Sequence, residues 1–186
     1  MQLLDVSHVV TDGMTTYPGL PGPKVSDHLT REASRASYAP GTEFQIGRID
    51  MVANTGTYLD TPAHRYVDGW DLAELPLERV AMVPLTLVDA AGPAIDAGAL
   101  DGHALTDRAV LFRTGWSRHW CTPAYGGGGH PHLTEAAASA LVEAGARVVG
   151  IDSVNIDDTT TGERPAHSLL LEAGIPIVEH LCDLDA

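Results

Sequence analysis

A chain of 186 residues, 44% hydrophobic and 19% charged, has the size and composition of one globular domain with a sizeable core rather than of a disordered segment. Its 11 basic and 25 acidic side chains give a formal charge of −14, which argues against nucleic acid and against an anionic membrane surface as partners. No window suits a membrane span, the first residues carry no signal-like pattern, and Cys121 and Cys182 match no metal or redox spacing, so a cytoplasmic protein with reduced thiols is expected.

In chain order, residues 3–10 (LLDVSHVV) read as a first strand, and the Pro/Gly punctuation of residues 11–23 as a loop. Residues 43–53 alternate partly and predict a strand that ends at the turn Asn54-Thr-Gly. The apolar, β-branched run 79–90 predicts a buried strand, and residues 109–114 another. The four glycines at 126–129 read as a surface loop, with His130 and His132 beside it. Residues 134–145 carry the clearest helix signal: Thr134 as N-cap, Glu135 in the first turn, an Ala-rich middle and Gly145 as the stop. Strand 147–153, helix 166–173 closed by Gly174, and strand 175–181 follow. A mostly β front half and an alternating rear half predict an α/β fold with a mixed sheet or barrel and flanking helices, organised as a single domain over residues 1–186.

The stretch ANTGTYLDTPAH, residues 53–64, is the main candidate for chemistry. If Thr57–Asp60 is extended, Tyr58 and Asp60 point to one face, because side chains alternate along a strand. Pro62 directs the chain so that His64 can converge on them, and Asn54 can join across the turn. His8, Tyr17 and Trp116 are candidate substrate-contacting residues. Arg113 is expected in an ion pair within the fold, while Asp152, Asn155 and Asp157 follow a strand, where ligand sites of α/β proteins often lie. No nucleotide-binding glycine fingerprint and no Gly-x-Ser-x-Gly elbow is present, which argues against a serine hydrolase.

This stretch resembles the signature of the cyclase family of metal-dependent hydrolases, which includes bacterial kynurenine formamidases and isatin hydrolases. That signature runs His-x-Gly-Thr-His-x-Asp-x-Pro-x-His, and Asn54, Gly56, Thr57, Tyr58, Asp60, Pro62 and His64 stand in its frame. The segments MTTYPGLPGP, AVLFRTGWSRHW, HPHLTEAAASALVEAGARVVGIDSVNIDD and PAHSLLLEAGIPIVEHLCDL resemble further family segments in the same order. The resemblance implies a swivelling β/β/α-like fold and hydrolysis of an amide, formamide, cyclic amide or lactone of a small metabolite, aromatic ones included. It also implies a divalent metal (Zn, Mn or Mg) on Asp60, His64, His167 and Glu179, with His64 as acid/base. Asn54 and Tyr58 depart from it, standing where imidazoles are expected. A metal-free site is the alternative, with His64 moving the proton, Asp60 orienting it, and Tyr58 and Asn54 donating to an oxyanion; so is a lyase, isomerase, cyclisation enzyme or small-molecule binding protein on the same fold. Relatives continue beyond the Glu-bearing segment, and family members are often homo-oligomers, so a homodimer or larger assembly is expected.

Overall fold

Short apolar runs between prolines and glycines are too brief for helices, and the computed structural model, which describes residues 3–185, forms them into short strands. The strands are β1 (Lys24–Leu29), β2 (Ile46–Asp50), β3 (Tyr58–Asp60), β4 (Leu85–Asp89), β5 (Ala94–Ile95), β6 (Ala109–Arg113), β7 (His132–Leu133), β8 (Val148–Ile151) and β9 (Ile177–Glu179). The helices are α1 (Arg31–Ser34), α2 (Glu135–Ala144) and α3 (Pro165–Glu172). The result is an α/β fold with a mixed sheet.

The chain divides into two compact units, one spanning Val9–Gly56 and the other combining the residues up to His8 with those from Thr57 onward. In the smaller unit, β1 and β2 pair antiparallel with Lys24 opposite Asp50. Gly56 has φ +69°, the left-handed conformation that the Asn-Thr-Gly turn predicts.

In the larger unit five strands lie in the order β3-β9-β8-β6-β4. β4, β6, β8 and β9 run parallel, and β3 closes one edge antiparallel to β9. Helix α2 connects β6 to β8 and α3 connects β8 to β9, the crossover that a parallel pair requires. Both helices pack on the core built on Val88, Val110, Phe112, Val149, Ile151 and Ile177, to which they add Leu141, Leu170 and Leu171. Gly150 has no room for a side chain: an added Cβ would stand 2.6 Å from Leu111 Cδ2 and 2.9 Å from Leu181 Cδ1.

Helix α2 has the expected ends, with Thr134 Oγ1 accepting from Ala137 N and Gly145 left-handed at φ 72°. Helix α3 begins on Pro165 without a cap from its own Arg164. Its cap comes from Asp157, whose carboxyl accepts from the backbone N–H of Ala166 at 2.7 Å and of His167 at 3.0 Å.

Three expectations need correction. Residues 3–10 form no strand but a single bridge, Ser7 to Leu181, and Leu3 and Val9 are 81% and 79% exposed, so their apolar pattern finds no sheet to join. The run 79–90 is strand only over Leu85–Asp89, preceded by a 3-10 turn at Leu77–Arg79; β4 is an edge strand, and of its residues only Val88 is buried. The loop expected to carry His130 instead buries that imidazole, whose Nε2 lies 3.0 Å from Thr159 Oγ1 and whose Nδ1 lies 3.3 Å from Ser153 Oγ. Both cysteines are free thiols, and no helix among the described residues is long and apolar enough to cross a membrane.

Candidate active site

β3 and β9 bring the site together. Tyr58 is paired with Glu179 and Asp60 with Ile177. Residues two apart share a face, so Tyr58, Asp60 and Glu179 project from the same side of this edge as the core residue Ile177. Glu179 is fully buried, and both its oxygens have partners: Ile156 N–H donates to Oε1 at 2.7 Å, and the Tyr58 hydroxyl donates to Oε2 at 2.5 Å. Burial pushes the Glu179 carboxyl above its ordinary pKa. The Tyr58 phenol proton is thus committed to Glu179.

His167 enters from the first turn of α3. Its Nδ1 lies 2.6 Å from Asp157 Oδ2, and its Nε2 lies 3.6 Å from Glu179 Oε1 and 3.8 Å from Asp60 Oδ2. Burial by itself would lower the His167 pKa, but the bond to Asp157, with Asp60 and Glu179 adding to it, carries it up to about 10. Asp60 is buried, yet its Oδ2 has no hydrogen-bond partner. Its Oδ1 lies 3.3 Å from Nδ1 of His64, whose side chain is 43% exposed. Asp60, His64 and His167 can each offer one donor atom, all within 4.8 Å of one another.

His64 rides on the 3-10 turn Pro62–His64, and the following chain folds back on that turn, with Ala63 N–H donating to Trp70 O. Gly69 permits this approach: an added Cβ would meet Pro62 C at 2.5 Å and Ala63 N at 2.8 Å, both backbone atoms that cannot swing aside. Gly69→Ala is therefore expected to cost about 1–3 kcal/mol through overpacking. Thermal unfolding checks this as a drop of several degrees in Tm, and His64 loses its placement with it.

The other sequence candidates fall in different places. Asn54 and Tyr17 belong to the smaller unit. Trp116 is pinned by its indole N–H to Tyr125 O at 3.0 Å. His8 stacks on Trp120, with ring centroids 3.8 Å apart and planes within 4°. Asp152 is structural: it accepts from Thr114 N–H at 2.9 Å and Gly115 N–H at 2.8 Å, tying β8 to the end of β6. Arg113 pairs with Asp89. Sequence reasoning did not single out Trp120, Tyr125 or His180, whose rings meet one another, with Trp120 also stacked on His8 and His180 also against Tyr58; no motif distinguishes them.

Buried carboxyls from β3, β9 and the loop after β8, an imidazole from α3 and an unpaired Asp60 oxygen thus gather at one edge of the sheet. The chain belongs to the cyclase family: the family described as putative cyclase matches residues 4–158. Curated relatives include kynurenine formamidases of Geobacillus thermodenitrificans, 26% identical over 182 residues (96% of this chain, 81% of the relative), and of Bacillus cereus strain ATCC 14579, 28% identical over 181 residues (96% and 81%). Among solved structures, a predicted metal-dependent hydrolase from Bacillus stearothermophilus is 28% identical with a TM-score of 0.74, covering 98% of this chain and 83% of that one. An isatin hydrolase bound to the product analogue thioisatinate, 19% identical with a TM-score of 0.80 over 98% of this chain and 80% of that one, shares the fold.

Proposed function

We propose that this protein is a hydrolase that cleaves a carbon–nitrogen bond in a formamide, amide or cyclic amide of a small aromatic metabolite. The observation that carries the reading is the donor cluster Asp60, His64 and His167 with its unpaired, buried Asp60 oxygen. Kynurenine formamidase relatives and structures described as metal-dependent hydrolases support it.

One carboxylate and two imidazoles suit zinc or manganese, and the unpaired buried Asp60 oxygen is free to serve as one of the donors. Asp60, His64 and His167 would hold the ion, which supplies Lewis acidity toward a carbonyl and acidifies water. The chain supplies the rest. Asp157 accepts from His167 Nδ1–H, which fixes the tautomer and leaves the Nε2 lone pair as the donor. Tyr58 and Ile156 hold both Glu179 oxygens, so that carboxyl lines the site as a fixed wall. We also propose that the protein works as a homodimer or larger homo-oligomer.

A second, metal-free reading has its own observation, the 3.3 Å contact between Asp60 Oδ1 and His64 Nδ1 on a half-open ring. Asp60 would orient the imidazole, whose Nε2 takes a proton from water and returns it to the departing nitrogen. Metal analysis of purified protein, together with assays on N-formyl arylamines and isatin before and after chelation, separates the two. About one equivalent of metal per chain and activity lost on chelation are expected. Activity retained in stripped protein moves the reading to His64 alone, and no hydrolysis of any of these compounds by metal-replete protein ends it.

A further inference from the structure

Beside Tyr58 lies a second polar feature that the donor cluster does not use. His180 directly follows β9 and is wholly buried. Its φ is +58°, a left-handed conformation uncommon for a side chain of this size. The turn interrupts strand alternation and brings the ring against Tyr58, with centroids 5.2 Å apart. Trp120 meets it edge-on at 5.7 Å, and Tyr125 lies 5.6 Å away.

His180 Nδ1 lies 2.7 Å from the Tyr125 hydroxyl, while its Nε2 is buried with no partner. Two proton arrangements are open to this pair. If Nδ1 carried the proton, the buried phenol O–H would be stranded along with Nε2. If the phenol donates to Nδ1, one group alone is left over, an Nε2–H pointing at nothing. The second arrangement strands fewer polar groups, so His180 is a donor awaiting an acceptor. The stacked His8 also has a buried Nε2 without a partner.

We propose that His180, set by Tyr125 and fronted by the Trp120–His8 stack, anchors an uncharged carbonyl oxygen on a planar substrate. The inference rests on the hydrolase reading for its substrate class. Aromatic rings on three sides favour a planar ligand. The Glu179 carboxyl, one residue before His180 and bonded to the neighbouring Tyr58, disfavours an anionic acceptor and favours a neutral one. Of the three rings against His180, Trp120 and Tyr58 are the half-buried ones, so a ligand reaches Nε2 by displacing one of these edges. Tyr125 acts through His180 and is a positioning residue.

The test uses the full chain and three probes: formanilide, its 2-acetyl derivative and its 2-carboxylate derivative. Wild type is expected to prefer the acetyl compound, mainly through KM. His180→Phe, which keeps a planar ring but removes the donor, is expected to lower the acetyl-over-plain ratio of kcat/KM about tenfold, the worth of one buried hydrogen bond. His180→Asn, which restores an N–H donor, is expected to recover part of it. Tyr125→Phe shifts the ratio the same way and serves if His180→Phe does not fold. Calorimetry with 2-aminoacetophenone reads the same loss without turnover. If the protein binds this ketone through His180 yet hydrolyses none of the probes, the hydrolase reading fails and the anchor stands. An unchanged acetyl preference in His180→Phe and Tyr125→Phe, a preference for the carboxylate, or no binding of the ketone overturns the anchor.

Discussion

Replacing His64 by alanine is expected to lower kcat by about 10²–10⁴-fold while leaving the fold intact. His64 is the exposed member of the donor cluster, and its contacts are few: Asp60 Oδ1 at 3.3 Å and the His167 ring at 5.8 Å between centroids. Truncating a side chain that is 43% exposed removes little packing, so Tm should move by no more than about 0.5 kcal/mol of stability would cause. The loss is therefore chemical. Steady-state kinetics and a melting curve on the same preparation check both halves, and the metal content of the variant adds a third reading. Protein that loses its ion together with activity assigns His64 to the metal, whereas protein that keeps the ion and loses kcat assigns it to proton transfer. Full activity in His64→Ala would sink both.

The largest stability effect should come from His167. The ring is buried between Asp157, Asp60 and Glu179, three carboxyl groups gathered around one imidazole. Removing it leaves these acids without their partner, and breaking a buried pair in this way costs about 3–5 kcal/mol. His167→Ala is thus expected to melt well below wild type and to retain no metal. The pH dependence of chelator-treated protein gives an independent check. The His167 pKa is about 10 in the folded state against 6.5 for an ordinary histidine, so between those values the folded chain binds a proton that the unfolded chain does not. This contribution is fully present below pH 6.5 and is lost as pH rises through about 10. Metal-free wild type should lose Tm over that window, and His167→Ala should lose much less. A flat wild-type profile would mean that His167 is neutral in the folded protein. Added metal competes with the proton for Nε2, so binding should tighten with rising pH.

Local patterns were legible where the physics is local. The helix over Glu135–Ala144 could be read because its Thr134 cap and left-handed Gly145 are neighbours in sequence. The shared face of Tyr58 and Asp60 follows from strand alternation alone. Helix α3 was legible from its Gly174 stop, but its cap was not, since Asp157 comes from eight residues before Pro165 across a loop. The strand expected at residues 3–10 had the right composition but no paired partner beyond Leu181, and composition does not supply hydrogen bonds.

By itself the sequence determined the fold class, the order of the rear α/β elements, and Asp60, His64 and His167 as residues of interest. Only the tertiary structure decided which of them meet. Pairing β3 with β9 sets Tyr58 opposite Glu179 and commits the phenol proton to that carboxyl. It leaves Asp60 Oδ2 unpaired beside His167, and it turns His180, through a left-handed residue, into the ring cluster around Tyr58. These outcomes depend on register and on backbone geometry between segments more than a hundred residues apart, Tyr58 and Glu179 being 121 apart. Spacing along a chain carries no information about hydrogen bonds at that range; they arise when the sheet closes.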